Sequence, residues 1–102
     1  MLVTNNGRNT IVPAQEVNVV ITNQVGLHAR PARLLVQTAA QFHSQIQLQH
    51  RDKTVNAKSI IGVLKLGAVL GDNIIVRADG EDAEEALKAL SNLVEQKFYE
   101  KD

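Results

Sequence analysis

Apolar and polar residues alternate along four short segments of the chain, and this period of two predicts four β-strands. The clearest is 45–49, where Ile46 and Leu48 would face a core and the three glutamines would face water. The other predicted strands cover residues 17–21, 53–56 and 73–78. Because Arg51 and Asp52 form a turn sequence, we expect the second and third strands to make a hairpin.

Three further segments place apolar residues three or four positions apart, which is the period of an α-helix with one buried face. They predict helices over residues 32–42, over residues 59–66 and from Asp82 onward, where Glu85 completes a capping box with Asp82. The resulting order is βαββαβα. This order predicts an α+β fold in which helices cover one face of a mainly antiparallel sheet.

The first thirteen residues differ from the rest, since they are rich in Asn and Thr and show no apolar period. We interpret residues 1–13 as a flexible N-terminal extension and residues 14–102 as the folded domain. One domain is also what a length of 102 residues predicts, because such a chain supplies a single core.

Composition excludes several classes of function. The chain has no cysteine, which excludes thiol chemistry and thiolate metal sites and favours a cytoplasmic location. We find no apolar signal segment and no apolar run long enough to cross a bilayer. Three aromatic residues, none within a basic run, do not favour nucleic-acid binding. Basic residues dominate between 14 and 78 and acidic ones follow, which suits either a solvated surface or a partner site.

A histidine at a helix start carries the strongest chemical signal. Gly26 permits a turn, and Pro31 falls in the first helical turn. The N–H that proline lacks would have no partner within the helix at that position, so no hydrogen bond is lost. His28 then lies at the N-cap, near unpaired N–H groups and the positive end of the helix dipole. Such a position binds anions, and Arg30 adds a guanidinium suited to phosphate. From these residues alone, His28 either carries a phosphoryl group or only completes the helix start.

The other two histidines give weaker signals. His43 follows a predicted helix and His50 ends a predicted strand, so we interpret both as solvated surface groups. No two histidines have the i, i+4 spacing of a zinc site, so neither a metal nor a cofactor is expected. The sequence also lacks a Gly-rich phosphate loop and a Gly-x-Ser-x-Gly turn, which leaves nucleotide hydrolysis and acyl transfer without support.

Ser59 and the helix that follows it form a second candidate region. Ser59 is an N-cap residue by position, and a phosphate there would place negative charge in an apolar surface. The helix is apolar on more than one face, with Ile60, Ile61 and Leu64 among its apolar residues. It is either buried all round or partly exposed as a protein-binding surface, and both interpretations stay open.

Two motifs together resemble the HPr family, the histidine phosphocarrier proteins of the phosphoenolpyruvate-dependent sugar phosphotransferase system. They are Gly-Leu-His-Ala-Arg-Pro-Ala at residues 26–32 and Val-Asn-Ala-Lys-Ser-Ile-Ile-Gly-Val-Leu-Lys-Leu-Gly-Ala at residues 55–68. The separation of His28 from Ser59 also suits the family, and the resemblance covers the chain from residue 14 onward. It implies an open-faced β-sandwich of four antiparallel strands under three helices.

The resemblance also implies a function and partners. His28 would accept a phosphoryl group on Nδ1 from phosphorylated enzyme I and pass it to a sugar-specific IIA domain, with Arg30 assisting. Ser59 would be the serine that HPr kinase/phosphorylase modifies in lineages with carbon catabolite repression, where a catabolite-control transcription factor is a further partner. Ile60, Ile61 and Leu64 would dock partners. We expect a monomeric carrier that is not an enzyme, that does not bind nucleic acid directly and that does not insert into a membrane.

Two features depart from the family pattern. Residues 1–13 lie outside the usual domain, and Val25 replaces the small polar residue often found before the glycine, which removes a possible partner for the phosphoryl group. An alternative function is a regulatory module that acts through phospho-Ser59 or phospho-His28, in catabolite repression or nitrogen control. A small-ligand-binding α+β domain is a third hypothesis, but it leaves both motifs unexplained.

Overall fold

The strands and helices from residue 14 onward follow the predicted order. The computed structural model describes residues 2–5, 8–11 and 14–100. Its elements in chain order are β1 (Leu2–Asn5), β2 (Arg8–Ile11), β3 (Gln15–Val20), α1 (Ala29–Ala39), β4 (Gln45–His50), β5 (Lys53–Asn56), α2 (Ile60–Leu66), β6 (Asn73–Asp79) and α3 (Ala83–Glu95). From β3 to α3 this is the predicted βαββαβα order.

Strands β3 to β6 form one antiparallel sheet in the order β3-β6-β4-β5. Strand β3, the first of this sheet along the chain, therefore pairs with β6, the last. The register places Val19 opposite Ile74 and Leu48 opposite Val76, so buried side chains of neighbouring strands lie side by side. The predicted α+β fold with a four-stranded antiparallel sheet and three helices is confirmed.

One face of this sheet and the apolar sides of the helices enclose the hydrophobic core. In β4, Ile46 and Leu48 are buried while Gln45 and Gln47 are exposed, as the alternation predicts. Phe98, which follows α3, is fully buried as well. Burying a large apolar side chain contributes about 1.5–3 kcal/mol to folding, so this core holds the surrounding loops in place.

Helix α1 begins and ends three residues before the predicted range of 32–42. Pro31 fits within its first turn, so the helix starts at Ala29 with His28 as its N-cap. After Ala39 the chain tightens, because the N–H groups of Gln41 and Phe42 donate to carbonyl groups three residues back. The helix therefore ends before the segment that leads into β4.

Asp82 precedes α3, but its side chain does not cap that helix, so the predicted capping box with Glu85 is wrong. Its carboxylate accepts hydrogen bonds from the His43 N–H (2.7 Å), the Ser44 N–H (2.9 Å) and the Ser44 hydroxyl (2.5 Å). The Ser44 hydroxyl, followed by the His43 N–H, lowers the pKa of Asp82 from 3.8 to about 2. Asp82 thus fastens the segment between α1 and β4.

Residues 2–5 and 8–11 form a second sheet that the sequence pattern did not predict. Strands β1 and β2 are antiparallel, with Leu2 opposite Ile11 and Asn5 opposite Arg8. Within residues 2–5, 8–11 and 14–100, these two strands form a sheet with each other and not with β3 to β6. The predicted division between residues 1–13 and 14–102 stays a prediction.

Candidate functional site

His28 is the N-cap of α1, as predicted, and the structure shows that it is exposed. Its backbone is extended (φ −89°, ψ −168°), its carbonyl accepts the Ala32 N–H at 2.8 Å, and its side chain makes no capping hydrogen bond. The first N–H groups of a helix have no partner within the helix, and they point towards the N-cap. An accessible imidazole therefore lies beside a group of backbone donors that suits an anion.

The turn before His28 packs closely against the segment that follows α2. Gly26 has a φ of +65°, and a Cβ there would lie 2.6 Å from the Ala68 oxygen and 2.8 Å from the Val69 Cα. An alanine would be both strained and crowded at this position. Leu27 is buried, and its N–H donates to the Ala68 oxygen at 3.0 Å. The backbone that leads into His28 is thus fixed, while the imidazole is exposed.

The Arg30 side chain extends to the C-terminal part of the chain. Its Nη1 donates to the Phe98 carbonyl oxygen at 2.8 Å, across 68 positions of sequence. Phe98 lies in a tight turn, Lys97–Tyr99, whose three residues have φ between 54° and 58°. Left-handed backbone is unfavourable for non-glycine residues, at about 1–2 kcal/mol each, and the burial of Phe98 offsets part of that. A turn anchored in the core therefore holds Arg30.

Asn23 makes a second connection between the His28 loop and the same C-terminal region. It is fully buried, and its Nδ2 donates to the Gly26 oxygen at 2.9 Å and to Glu100 Oε1 at 2.8 Å. Neither Asn23 nor Phe98 was recognised from the sequence. An Asn three residues before a glycine is a turn signal, but nothing local indicates a partner 77 positions away.

Ser59 is the N-cap of α2, as predicted. Its Oγ accepts the Gly62 N–H at 3.1 Å, and its carbonyl accepts the Val63 N–H at 2.9 Å. The residue before it, Lys58, donates through Nζ to the Phe42 oxygen at 2.7 Å. The start of α2 is therefore attached to the segment just after α1, the helix whose other end carries His28.

Helix α2 exposes part of its apolar surface. Ile60, Ile61 and Leu64 are 39%, 62% and 42% exposed, while Val63 and Leu66 of the same helix are buried. The helix is therefore not buried all round, which excludes one of the two interpretations left open by the sequence, and its role as a protein-binding surface stays a prediction. We call Ile60, Ile61 and Leu64 the α2 apolar surface. Such a surface is more typical of a protein-binding site than of an unoccupied helix face.

The other two histidines have different environments. His43 is exposed, as predicted, whereas His50 is buried, so the interpretation of His50 as a surface group is wrong. The His50 ring lies 3.2 Å from the Leu66 oxygen through Nδ1 and 3.0 Å from Asp72 Oδ2 through Nε2. Its position at a strand end gave no sign of these partners, since Asp72 comes from the turn before β6.

Within residues 2–5, 8–11 and 14–100, no group of three or more His, Cys, Asp or Glu is placed to hold a metal ion. None of the helices in those ranges has both the length and the apolar character needed to cross a bilayer.

Comparison with protein families and with individual relatives gives matching results. The family described as "PTS HPr component phosphorylation site" matches residues 15–96. The phosphocarrier protein HPr of Xylella fastidiosa (strain 9a5c) is 48% identical over 85 residues, which are 83% of this chain and 96% of that protein. Both matched regions include the segment that carries His28, Arg30 and Ser59.

Solved structures show the same similarity. HPr-C-His from Thermoanaerobacter tengcongensis has a TM-score of 0.84 and 51% sequence identity, and the match covers 86% of this chain and 99% of that one. A second structure from that organism, described as an HPr dimer, has a TM-score of 0.69 and 52% identity, and covers 84% of this chain and 99% of its own.

Proposed function

Because this chain belongs to the HPr family of phosphocarrier proteins, we propose that His28 is the residue that carries its phosphoryl group. His28 accepts the group from phosphorylated enzyme I and passes it to sugar-specific IIA domains in the cytoplasm. The observation that supports this most is the exposed imidazole at the N-cap of α1, which makes no capping hydrogen bond and leaves the helix donors available.

The chemistry needs a lone pair on a ring nitrogen. A nitrogen of the neutral imidazole attacks phosphorus, and the bond between phosphorus and the donor's leaving atom breaks as the new P–N bond forms. The transferred group is anionic throughout. The N–H groups of the first α1 turn and the helix dipole stabilise it on His28, and the resemblance to the family favours Nδ1 as the acceptor.

Arg30 stabilises the phosphoryl oxygens during transfer. Its hydrogen bond to the Phe98 oxygen uses one of the five N–H donors of the guanidinium. The other four N–H donors of the guanidinium can therefore serve a phosphoryl group. A planar, permanently charged group held in one orientation suits phosphate better than a mobile lysine does.

The α2 apolar surface docks enzyme I and the IIA domains. Its three side chains lie on the helix just before the segment that packs against Gly26, so a docked partner would reach His28. Ile61→Asp should raise the KM for phosphorylation by enzyme I about tenfold or more, because it puts a charge into an apolar interface. Val20→Asp is the matched control, since Val20 is 46% exposed on β3. Equal effects of the two variants would contradict the docking assignment.

Ser59 is the proposed regulatory site for HPr kinase/phosphorylase. Phosphorylation would replace the hydroxyl that accepts the Gly62 N–H with a dianionic group beside Ile60 and Ile61. The helix start tolerates that charge, but an apolar partner surface does not, so partner docking weakens. Incubation with the kinase and ATP should phosphorylate the natural chain and leave Ser59→Ala unmodified, and modification of Ser59→Ala would contradict the assignment.

The proposal makes the chain a carrier, modified once per cycle, and not an enzyme. Incubation with enzyme I and phosphoenolpyruvate should add one acid-labile phosphate, observed by mass spectrometry, and His28→Ala should abolish it. His43→Ala is the control, because His43 is also exposed and should leave phosphorylation intact. An unmodified natural chain under conditions that phosphorylate a known phosphocarrier would overturn the proposal. We also propose a monomer, and a dimer mass by light scattering would contradict that.

A regulatory module is the second candidate, supported by the position of Ser59 beside the α2 apolar surface. Here phospho-Ser59 or phospho-His28 would be recognised by a regulatory protein, such as a catabolite-control transcription factor or a component of nitrogen control. Regulation retained in His28→Ala but lost in Ser59→Ala would favour this function over phosphoryl transfer to sugars.

A further inference from the structure

The buried His50 ring lies between two hydrogen-bond acceptors. Its Nδ1 is 3.2 Å from the backbone oxygen of Leu66, the last residue of α2, and its Nε2 is 3.0 Å from Asp72 Oδ2. The same Asp72 oxygen accepts the Val69 N–H at 2.9 Å. His50 therefore joins the two ends of the segment 67–72, which connects α2 to β6. Nothing in the proposed transfer reaction uses this pair.

The segment 67–72 in turn holds both ends of the loop that carries His28. At the β3 end, the Ile21 N–H donates to the Asp72 oxygen at 2.9 Å, and the Gly71 N–H donates to the Ile21 oxygen at 2.8 Å. At the α1 end, the Leu27 N–H donates to the Ala68 oxygen at 3.0 Å. Any displacement of this segment would therefore move the backbone on both sides of the loop.

We propose that His50 and Asp72 are positioning residues for His28, because they fix the segment 67–72 against which the His28 loop is built. The inference rests on the proposed phosphoryl transfer to His28. It adds two side chains that do not touch the phosphoryl group but set where the imidazole lies. A displacement of about 1 Å at a reacting group can lower a rate by up to about 100-fold. Fixing the segment 67–72 therefore affects the rate of phosphoryl transfer.

Burial and charge favour a strong connection. The side chains of His50 and Asp72 are 10% and 19% exposed. A cavity of about 400 Å³ beside the pair is lined by one carboxylate, Asp72, and by the cation Arg51. Lys53 lies opposite His50 across the β4–β5 hairpin. Since the Leu66 oxygen and the Asp72 carboxylate are both acceptors, a ring with two N–H donors completes both bonds, and a neutral ring completes one.

The first test measures amide hydrogen exchange by NMR in the full chain, without any partner. His50→Ala should speed exchange of the Ile21 and Leu27 amides about tenfold, because it removes a buried charge-assisted hydrogen bond. The Leu90 amide in α3 is the internal reference and should change much less. His43→Ala, which removes an exposed histidine, is the matched control and should leave all three amides unchanged.

The second test measures phosphorylation by enzyme I. His50→Ala should lower kcat about tenfold and change KM less, because His28 is displaced while the α2 apolar surface is intact. An equal rise in exchange at Ile21, Leu27 and Leu90 would assign His50 a general structural role and overturn the proposal. Unchanged exchange at Ile21 and Leu27, or a raised KM with unchanged kcat, would overturn it too.

Should His50→Ala fail to fold, Asp72→Asn replaces the charged partner with a neutral one of equal size, and the same selective increase in exchange is expected at about threefold. No selective increase in Asp72→Asn would then overturn the proposal. Failure of the natural chain to accept a phosphoryl group would overturn the proposed function instead, because the exchange measurement needs no enzyme I.

Discussion

Replacing Gly26 by alanine measures how closely the His28 loop is packed. Gly26 has a φ of +65°, a conformation that L-residues rarely adopt. The added Cβ would also lie 2.6 Å from the Ala68 oxygen and 2.8 Å from the Val69 Cα. Both neighbours are backbone atoms of the segment 67–72, so the clash cannot be relieved by rotating a side chain. Either the loop or that segment must move.

The two contributions can be estimated separately. Holding alanine at this φ costs about 1–2 kcal/mol. Displacing closely packed backbone costs about 1–3 kcal/mol more. Together the two costs lower the free energy of unfolding by about 2–5 kcal/mol. Gly67→Ala is the matched control, because Gly67 has a φ of +70° and, apart from its two chain neighbours, the atom nearest to an added Cβ would be the Lys65 oxygen at 3.9 Å. Gly67→Ala should lower the free energy of unfolding by the conformational cost alone, about 1–2 kcal/mol.

Thermal unfolding of both variants separates packing from conformation. Each kcal/mol lowers the Tm of a domain of this size by about 4–8 °C, so Gly26→Ala should melt at least 4 °C below Gly67→Ala. Both substitutions replace glycine with alanine and restrict the unfolded chain equally, so the difference reports the folded state. Phosphorylation by enzyme I should be slower in Gly26→Ala alone. Equal Tm values for the two variants would refute the reasoning.

Three more predictions concern stability. Ser59→Ala should lower the free energy of unfolding by about 1 kcal/mol, since it removes the acceptor of the Gly62 N–H, and Ser59→Asp should restore much of it because aspartate also caps. Phe98→Ala should cost about 3–5 kcal/mol, measured by urea unfolding, because the side chain is fully buried. The pKa of Asp82 is lowered to about 2 in the folded chain, so its contribution to stability is present above pH 4 and lost as the pH falls towards 2. The Tm difference between the natural chain and Asp82→Asn should therefore shrink over that range.

Each of these has a result that would count against it. Equal stability of Ser59→Ala and Ser59→Asp would show that the N-cap bond contributes little. A loss below 1 kcal/mol in Phe98→Ala would mean that the core refills the space. A Tm difference for Asp82→Asn that stays constant from pH 5 to pH 2 would contradict the lowered pKa.

The sequence predicted the parts of the fold that depend on local pattern. The alternation around Ile46 and Leu48 and the N-cap positions of His28 and Ser59 follow from neighbouring residues, and the structure has them as predicted. Helix α1 was placed three residues late because its apolar spacing begins after Pro31. The spacing of apolar residues indicates which face of a helix is buried, but it does not indicate the residue at which the helix begins.

Contacts between distant residues could not be predicted in this way. Asp82 has the local context of a helix cap, yet it binds Ser44, which lies 38 positions earlier. His50 has the local context of a surface residue, but Asp72 and Leu66 enclose it. In each case the partner is brought close by the sheet, so the competing local assignment could be rejected only once the topology was known.

The pairing of β3 with β6 sets when the loop that carries His28 can reach its final geometry. The loop carrying His28 starts at the end of β3, whose strand partner lies about 60 residues later, as the pair of Glu16 and Arg77 illustrates. The chain must lose the entropy of closing this long loop before the β3–β6 contacts can form. This slows folding and places the pairing of β3 with β6 late. During synthesis, His28 leaves the ribosome well before β6 does. A growing chain would therefore carry His28, the proposed phosphoryl acceptor, long before the loop around it has its final geometry.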